Sequence, residues 1–249
     1  MRACSSAARE RRPAPWCAPL GAAVRRRTVA SGGAVIGLDL AGLRRVPPLP
    51  GPPSLLGYAD WVAARLPEGG ASVLVGQDYG GLIAASLAAR GLARGLVLIS
   101  CPLSAAWWAA KVTAWPVLER PFYHWLGGAR YVRRAVEPGR RAEFVRLHPT
   151  EDPSLPVRMR DMARELSLGE IRALPGLIRA RGVRSAVLWG EGDRMFPPSA
   201  ARATARALGV AVRWVPKARH GLPWDAPEAV VGAVQSVSPG AAIDSRRQP

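Results

Sequence analysis

Three side chains of the kinds that do chemistry stand at three separate turns of this chain: Asp78, Asp193 and His220. Asp78 is the centre of Gly76-Gln77-Asp78-Tyr79-Gly80, which joins the apolar run Val73-Leu74-Val75 to an Ala- and Leu-rich stretch, Gly80 to Arg90. The run predicts a buried strand. The stretch predicts a helix with Leu82, Ser86 and Ala89 on one side. A small-x-acid-x-small pentapeptide between them has the form of an elbow, a sharp turn that holds its central side chain strained and exposed. Glycines at 76 and 80 fit, because a Cβ at either place is expected to collide with a neighbouring element. The helix start brings free backbone N–H groups and a positive dipole end beside the carboxylate. With a second carboxylate in Gly190-Glu191-Gly192-Asp193 and an imidazole in Arg219-His220-Gly221, the chain holds the groups that nucleophilic and acid–base chemistry use. Each also has a plainer reading: a helix cap for Asp78, a turn residue for Asp193 with Glu191 as substitute acid, a solvent-facing loop histidine for His220. For His124 and His148 the plain reading is preferred.

Those turns need strands to carry them. Residues 34–101 read as the first part of an α/β core. Ala34 to Leu40 is a strand ending in Asp39-Leu40-Ala41-Gly42, and five prolines between Pro47 and Pro53 make a loop. Leu55 to Leu66 is a helix capped by Ser54, with Leu56, Ala59, Ala63 and Leu66 on its buried face. The elbow follows, then a strand from Gly95 to Ser100. Residues 102–182 change character: Trp107, Trp108, Trp115, Tyr123, Trp125 and Tyr131 sit among helical patterns with no strand, which reads as an inserted helical cap. Residues 183–239 resume the core, with a strand Ser185–Trp189, a helix capped by Ser199, a strand Ala211–Val215 and a closing helix from Pro227. Residues 240–249 read as a frayed tail. The alternation predicts an α/β fold with a doubly wound, mostly parallel sheet, whose sites lie at the carboxyl ends of the strands.

Residues 1–33 have no clear period. The first thirty hold seven Arg, two adjacent Ser and a single acid, Glu10. That composition fits an organelle transit peptide or an irregular start of the chain, with the second preferred. The formal charge of +17 and pI near 11.4 would ordinarily suggest nucleic acid. All but Lys111 and Lys217 of the 35 cationic residues are Arg, however, in a chain rich in Ala, Gly and Pro. This bias reads as the composition of a GC-rich genome. The nine Trp are not interleaved with Arg as a stacking platform requires. A small-molecule substrate is the expected partner, and nucleic acid is not. Cys4, Cys17 and Cys101 form no CxxC pair and suggest neither zinc nor a disulfide framework, so a reducing, cytoplasmic setting fits. No apolar run approaches the ~18–20 residues that span a bilayer. The oligomeric state has no signature.

From about Val35 to Val234 the chain resembles the α/β-hydrolases, on Asp39-Leu40-Ala41-Gly42, Gly76-Gln77-Asp78-Tyr79-Gly80-Gly81, Gly190-Glu191-Gly192-Asp193 and Arg219-His220-Gly221 in that order. An elbow built on Asp resembles the epoxide hydrolase and haloalkane dehalogenase branch, where His- or Gln-Asp-Trp-Gly-Gly is usual. The resemblance implies a cofactor-independent hydrolase with no metal. Asp78 would attack an electrophilic carbon of a small apolar epoxide or halogenated compound, an ester being the other candidate. His220 would then activate water against the resulting ester, oriented by Asp193. It also implies an oxyanion donor in the Tyr79 N–H and, for an epoxide, cap tyrosines such as Tyr123 and Tyr131 that protonate the opened oxygen.

Two features depart from that pattern. Tyr79 stands where a dehalogenase presents Trp to the leaving halide. A second oxyanion donor would come from a His-Gly-x-Pro type loop upstream of the Asp39 strand, yet no His precedes His124. The fold therefore reads as an α/β-hydrolase fold that is N-terminally incomplete. Two further hypotheses accompany the enzyme: a catalytically impaired or truncated homologue, and a basic interaction protein on the same scaffold.

Overall fold

The structure, a computed structural model, describes residues 36–38, 40–41, 46–67, 71–115, 133–142, 144 and 155–239. The expectations for residues 1–33, Asp39, Tyr123, His124, Tyr131, His148 and 240–249 fall outside that set.

Four strands form a parallel sheet in the order β1 (Ala71–Gln77), β2 (Ala93–Ile99), β3 (Arg184–Gly190) and β4 (Val212–Val215). Period-two alternation divides their side chains between two cores. Leu96, Leu98, Val187 and Trp189 face one side, with α2 (Tyr79–Ala89), α5 (Leu168–Ala180) and α6 (Pro198–Leu208). Val97, Ile99, Ala186 and Leu188 face the other, against Val230, Ala233 and Val237 of α7 (Pro227–Val237). Helices on both faces make the sheet doubly wound, as the alternation of elements predicts.

α1 (Leu55–Ala63) starts as expected, with Ser54 Oγ accepting from Gly57 N–H at 3.1 Å. Its buried face is shifted, however. Leu55, Tyr58, Ala59 and Val62 are inside while Leu56 is 55 % exposed. Both stripes have helical spacing, and tertiary contacts choose between them: the Tyr58 hydroxyl donates to the Ala41 carbonyl at 3.1 Å and its ring meets Tyr79 edge-on. That same bond holds the segment in which a strand was expected. Its described residues, 36–38 and 40, lie outside the sheet, because Leu38 and Leu40 pack against the core through their side chains instead. Ser199 is not a cap either. Pro198 occupies the first position of α6, which suits a ring with no N–H to satisfy.

Within 102–182 the described residues contain no strand. Besides α3 (Trp108–Thr113), α4 (Leu155–Arg164) and α5, short turns of 3₁₀ helix cover Ala105–Trp107 and Pro138–Arg140. α3 and α4 clasp each other. Lys111 Nζ donates to the Arg164 and Leu166 carbonyls at 3.0 and 2.5 Å, and Arg164 Nε donates to the Ala114 carbonyl at 2.9 Å. α5 packs on α2 and α6, in the helix layer of the sheet.

The elbow glycines divide differently from expectation. A Cβ on Gly76 would come within 2.6 Å of the Gly81 Cα, but one on Gly80 would meet nothing within 4 Å. The second tight position is Gly81, where a Cβ would lie 2.5 Å from Cys101 Cβ and 2.6 Å from its Sγ. Gly81→Ala is therefore expected to lower stability by about 1–3 kcal/mol, whereas Gly80→Ala should raise it by roughly 0.5–1 kcal/mol. Urea unfolding of the two variants checks the pair. Equal effects would contradict the packing described.

Candidate active site

β1 ends at Gln77, and the chain turns at Asp78 (φ 51°, ψ −126°) before α2 begins at Tyr79. Positive φ on a residue with a side chain is strained, so the turn is held from outside. Asp78 N–H donates to the Ile99 carbonyl, while the Asp78 carbonyl accepts from Gly81 N–H at 2.9 Å and Leu82 N–H at 3.3 Å. As first residues of the helix, Tyr79 and Gly80 have N–H groups with no acceptor one turn back.

The loops after β3 and β4 bring the other two groups to this turn. His220 Nε2 lies 3.0 Å from Asp78 Oδ2, and its Nδ1 lies 3.2 Å from Asp193 Oδ2. The imidazole and the Asp193 side chain are each 1 % exposed, while the Asp78 side chain is 34 % exposed. The constellation is buried behind and open at the Asp78 end. Asp193 Oδ1 is used too, accepting from Met195 N–H at 2.7 Å and Phe196 N–H at 3.3 Å, so its carboxylate has one orientation. Glu191, the substitute acid, is exposed and joins this region through its backbone N–H to the Val215 carbonyl.

Electrostatics follow from burial and pairing. Burial alone would push the His220 pKa down; hydrogen bonds to Asp193 and Asp78 and both negative charges outweigh it and hold the pKa at about 10. Burial likewise opposes ionisation of Asp193, but the His220 hydrogen bond and charge and the Met195 N–H leave its pKa below the ordinary value. The resting site is thus an imidazolium between two carboxylates. Because the folded pKa of His220 lies above its ordinary 6.5, its contribution to stability is fully present below about pH 6.5 and is lost as pH rises through about 10. The melting temperature is expected to fall across that interval. A flat profile would contradict the ion pairing.

The histidine loop is anchored by residues that sequence reasoning passed over. Gln77 Nε2 donates to the His220 carbonyl at 2.7 Å, tying loop to elbow. Asp225 accepts from Arg219 N–H at 2.7 Å and Glu137 N–H at 3.1 Å, joining the loop to the 133–142 segment. Gly221 N–H donates to the Ala135 carbonyl at 2.5 Å, and Arg219 Nη1 donates to the Arg133 carbonyl. Phe196 packs against the imidazole with ring centroids 5.8 Å apart. Gln77 adjoins Asp78, the one signal that could have pointed to it; Asp225 had none.

Tyr79 turns its side chain into an aromatic cluster, edge-on to Tyr58 at 5.8 Å and Trp107 at 6.3 Å. Its hydroxyl reaches the Pro53 carbonyl at 3.5 Å, and burial pushes its pKa up. Tyr123 and Tyr131 lie outside the described residues. Among the described residues no group of His, Cys, Asp and Glu is arranged to hold a metal ion, and no helix is long and apolar enough to cross a membrane.

The model of the Alpha/beta hydrolase family matches residues 9–233. The chain belongs to that family, whose members are hydrolytic. Among solved structures it is similar to an esterase from Thermogutta terrifontis, at 23 % identity and TM-score 0.66, covering 87 % of this chain and 83 % of that one. It is also similar to the ancestral haloalkane dehalogenase AncHLD2 (16 %, TM-score 0.60, covering 85 % and 84 %) and to the epoxide hydrolase CorEH (18 %, TM-score 0.54, covering 86 % and 84 %). At these identities the likeness is one of fold. A search of curated proteins found no match.

Proposed function

We propose that the chain is a cofactor-independent hydrolase in which Asp78 attacks the electrophilic carbon of a small epoxide or halogenated compound. The observation that carries this reading is the 3.0 Å approach of His220 to a carboxylate, rather than a hydroxyl, at the elbow. A carboxylate needs no base to become a nucleophile, so His220 has no task in the first step. Asp78 Oδ attacks carbon, the bond to halide or epoxide oxygen breaks with its electron pair, and an ester remains.

Ester formation removes one of the two charges and one of the two acceptors that raise the His220 pKa. The imidazolium then gives up its Nε2 proton, to the alkoxide that an opened epoxide leaves or to solvent after loss of halide, and can accept one from water, which adds to the ester carbonyl. Asp193 keeps Nδ1 protonated and Nε2 facing the water. The oxyanion forms beside the free N–H groups at the start of α2. Base strength is thus delivered only in the second step.

The test is a single turnover in ¹⁸O-water with enzyme in excess. Attack at the ester carbonyl puts ¹⁸O into the Asp78 carboxylate. Direct attack of water on the substrate labels the product alone and would sink the proposal. A second reading, a homologue that keeps the fold without turnover, draws on the edge of β1. Among the described residues that edge has no partner strand, and Val75 is 44 % exposed. It predicts no label in either place.

A further inference from the structure

We infer that Arg158 recognises an anionic group of the substrate, and that the substrate is a small organic acid. The inference rests on the hydrolase reading and names its substrate class.

Arg158 lies on α4 one turn before Met162, and Leu166 follows just beyond the end of that helix. Residues four apart lie on one helix face. Met162 and Leu166, 6 % and 2 % exposed, are packed into the same core cluster as Tyr58, Leu82 and Trp107. Arg158 therefore continues an inward face, and its Nη1 is buried with no hydrogen-bond partner among the described residues. Its charge is felt at the Tyr58 hydroxyl, whose pKa burial raises and Arg158 pulls back. Tyr58 touches Tyr79, which touches Trp107, and Tyr79 follows the nucleophile in the chain. The guanidinium thus stands at an aromatic wall next to the elbow.

A buried donor without an acceptor is costly, and more so on a charged group. The carboxylates nearby are not its partners. Asp161 on the same helix is held by Arg160 Nη2 at 2.7 Å and approached by Arg164 at 4.0 Å, and Glu165 is exposed at the helix end. The polar atom missing from Arg158 is supplied by a ligand. A guanidinium fork matches a carboxylate in shape and charge, and it is less strongly hydrated than an ammonium. The rings of Tyr58, Tyr79 and Trp107 suit the carbon skeleton that joins this carboxylate to the reacting carbon.

Binding separates this inference from the catalytic one. Calorimetric titration compares phenylacetate with phenylacetamide, which has the same shape without the charge. The unsubstituted protein should bind the acid roughly tenfold more tightly or better, the range of a hydrogen bond to a charged group. Arg158→Gln should erase the preference, and Arg158→Lys, which keeps the charge, should retain part of it. Equal affinities, no binding of phenylacetate, or a preference that survives in Arg158→Gln would each overturn the assignment. Hydrolysis of the neutral styrene oxide is followed in parallel. If that occurs without an acid preference, only the Arg158 inference fails; if the acid is preferred and no ester ever forms, only the hydrolase reading fails.

Discussion

Replacing His220 by alanine is expected to stop steady-state turnover while sparing the first chemical step. With a halogenated substrate the variant should release one equivalent of halide per site and then stall. The loss in kcat should be about 10²–10⁴-fold, the usual worth of a positioned general base. In the resting site His220 is an imidazolium held near pKa 10 by burial-opposing contacts with Asp193 and Asp78, so it cannot act as a base before Asp78 is esterified. Removing it also removes a buried cation between two acids, so the Asp193 carboxylate is left without its partner. Halide release therefore has to be normalised to folded protein, measured by circular dichroism. Halide release that never begins would show that His220 is needed for the first step, contrary to the account.

The second large effect is expected from Asp193→Asn. Asp193 Oδ1 accepts from the Met195 and Phe196 N–H groups, and that bonding fixes which atom faces the imidazole. An amide in the same pose keeps its oxygen on those donors and turns its NH₂ toward His220 Nδ1. A donor facing Nδ1 forces the proton onto Nε2, the nitrogen that must accept one from water. The imidazole is held in the wrong tautomer with its geometry intact, and the expected loss is about 10³–10⁴-fold in kcat. The same change removes one of the charges raising the His220 pKa, so the fall in melting temperature between about pH 6.5 and 10 should shrink. Kinetics and a pH series of thermal melts read the two consequences from one variant. A lost kcat with an unchanged melting profile would mean that Asp193 acts through something other than its charge.

The sequence made the candidate site unusually legible because its three groups are each marked locally. Asp78 sits between glycines at a change of period, and Asp193 and His220 each follow a β-rich run. Strands β2 and β3 are legible because parallel strands buried on both faces are nearly continuous apolar runs, and the shorter runs of β1 and β4 show through although Val75 and Arg213 are exposed. What stayed hidden depended on partners distant in the chain. Cys101 makes Gly81 the tight glycine, and nothing near Gly80 says that it stands in open space. The α1 face was ambiguous because two stripes of the same period overlap, and only the Tyr58–Ala41 bond separates them. Gln77 and Asp225 steady the histidine loop through its main chain, and bonds of that kind leave no residue pattern to read. Residues 36–38 had strand composition but lie outside the sheet, since composition does not supply a ladder partner.

The most direct measurement is the intact mass of the His220→Ala protein after incubation with a substrate that the unsubstituted enzyme turns over, followed by peptide mapping. For an epoxide the account predicts a gain equal to the whole substrate; for a halogenated compound the gain is the substrate less hydrogen halide. In both cases the added mass lies on the peptide that contains Asp78. An unchanged mass, or an adduct on any other residue, would contradict the assignment of Asp78 as the nucleophile.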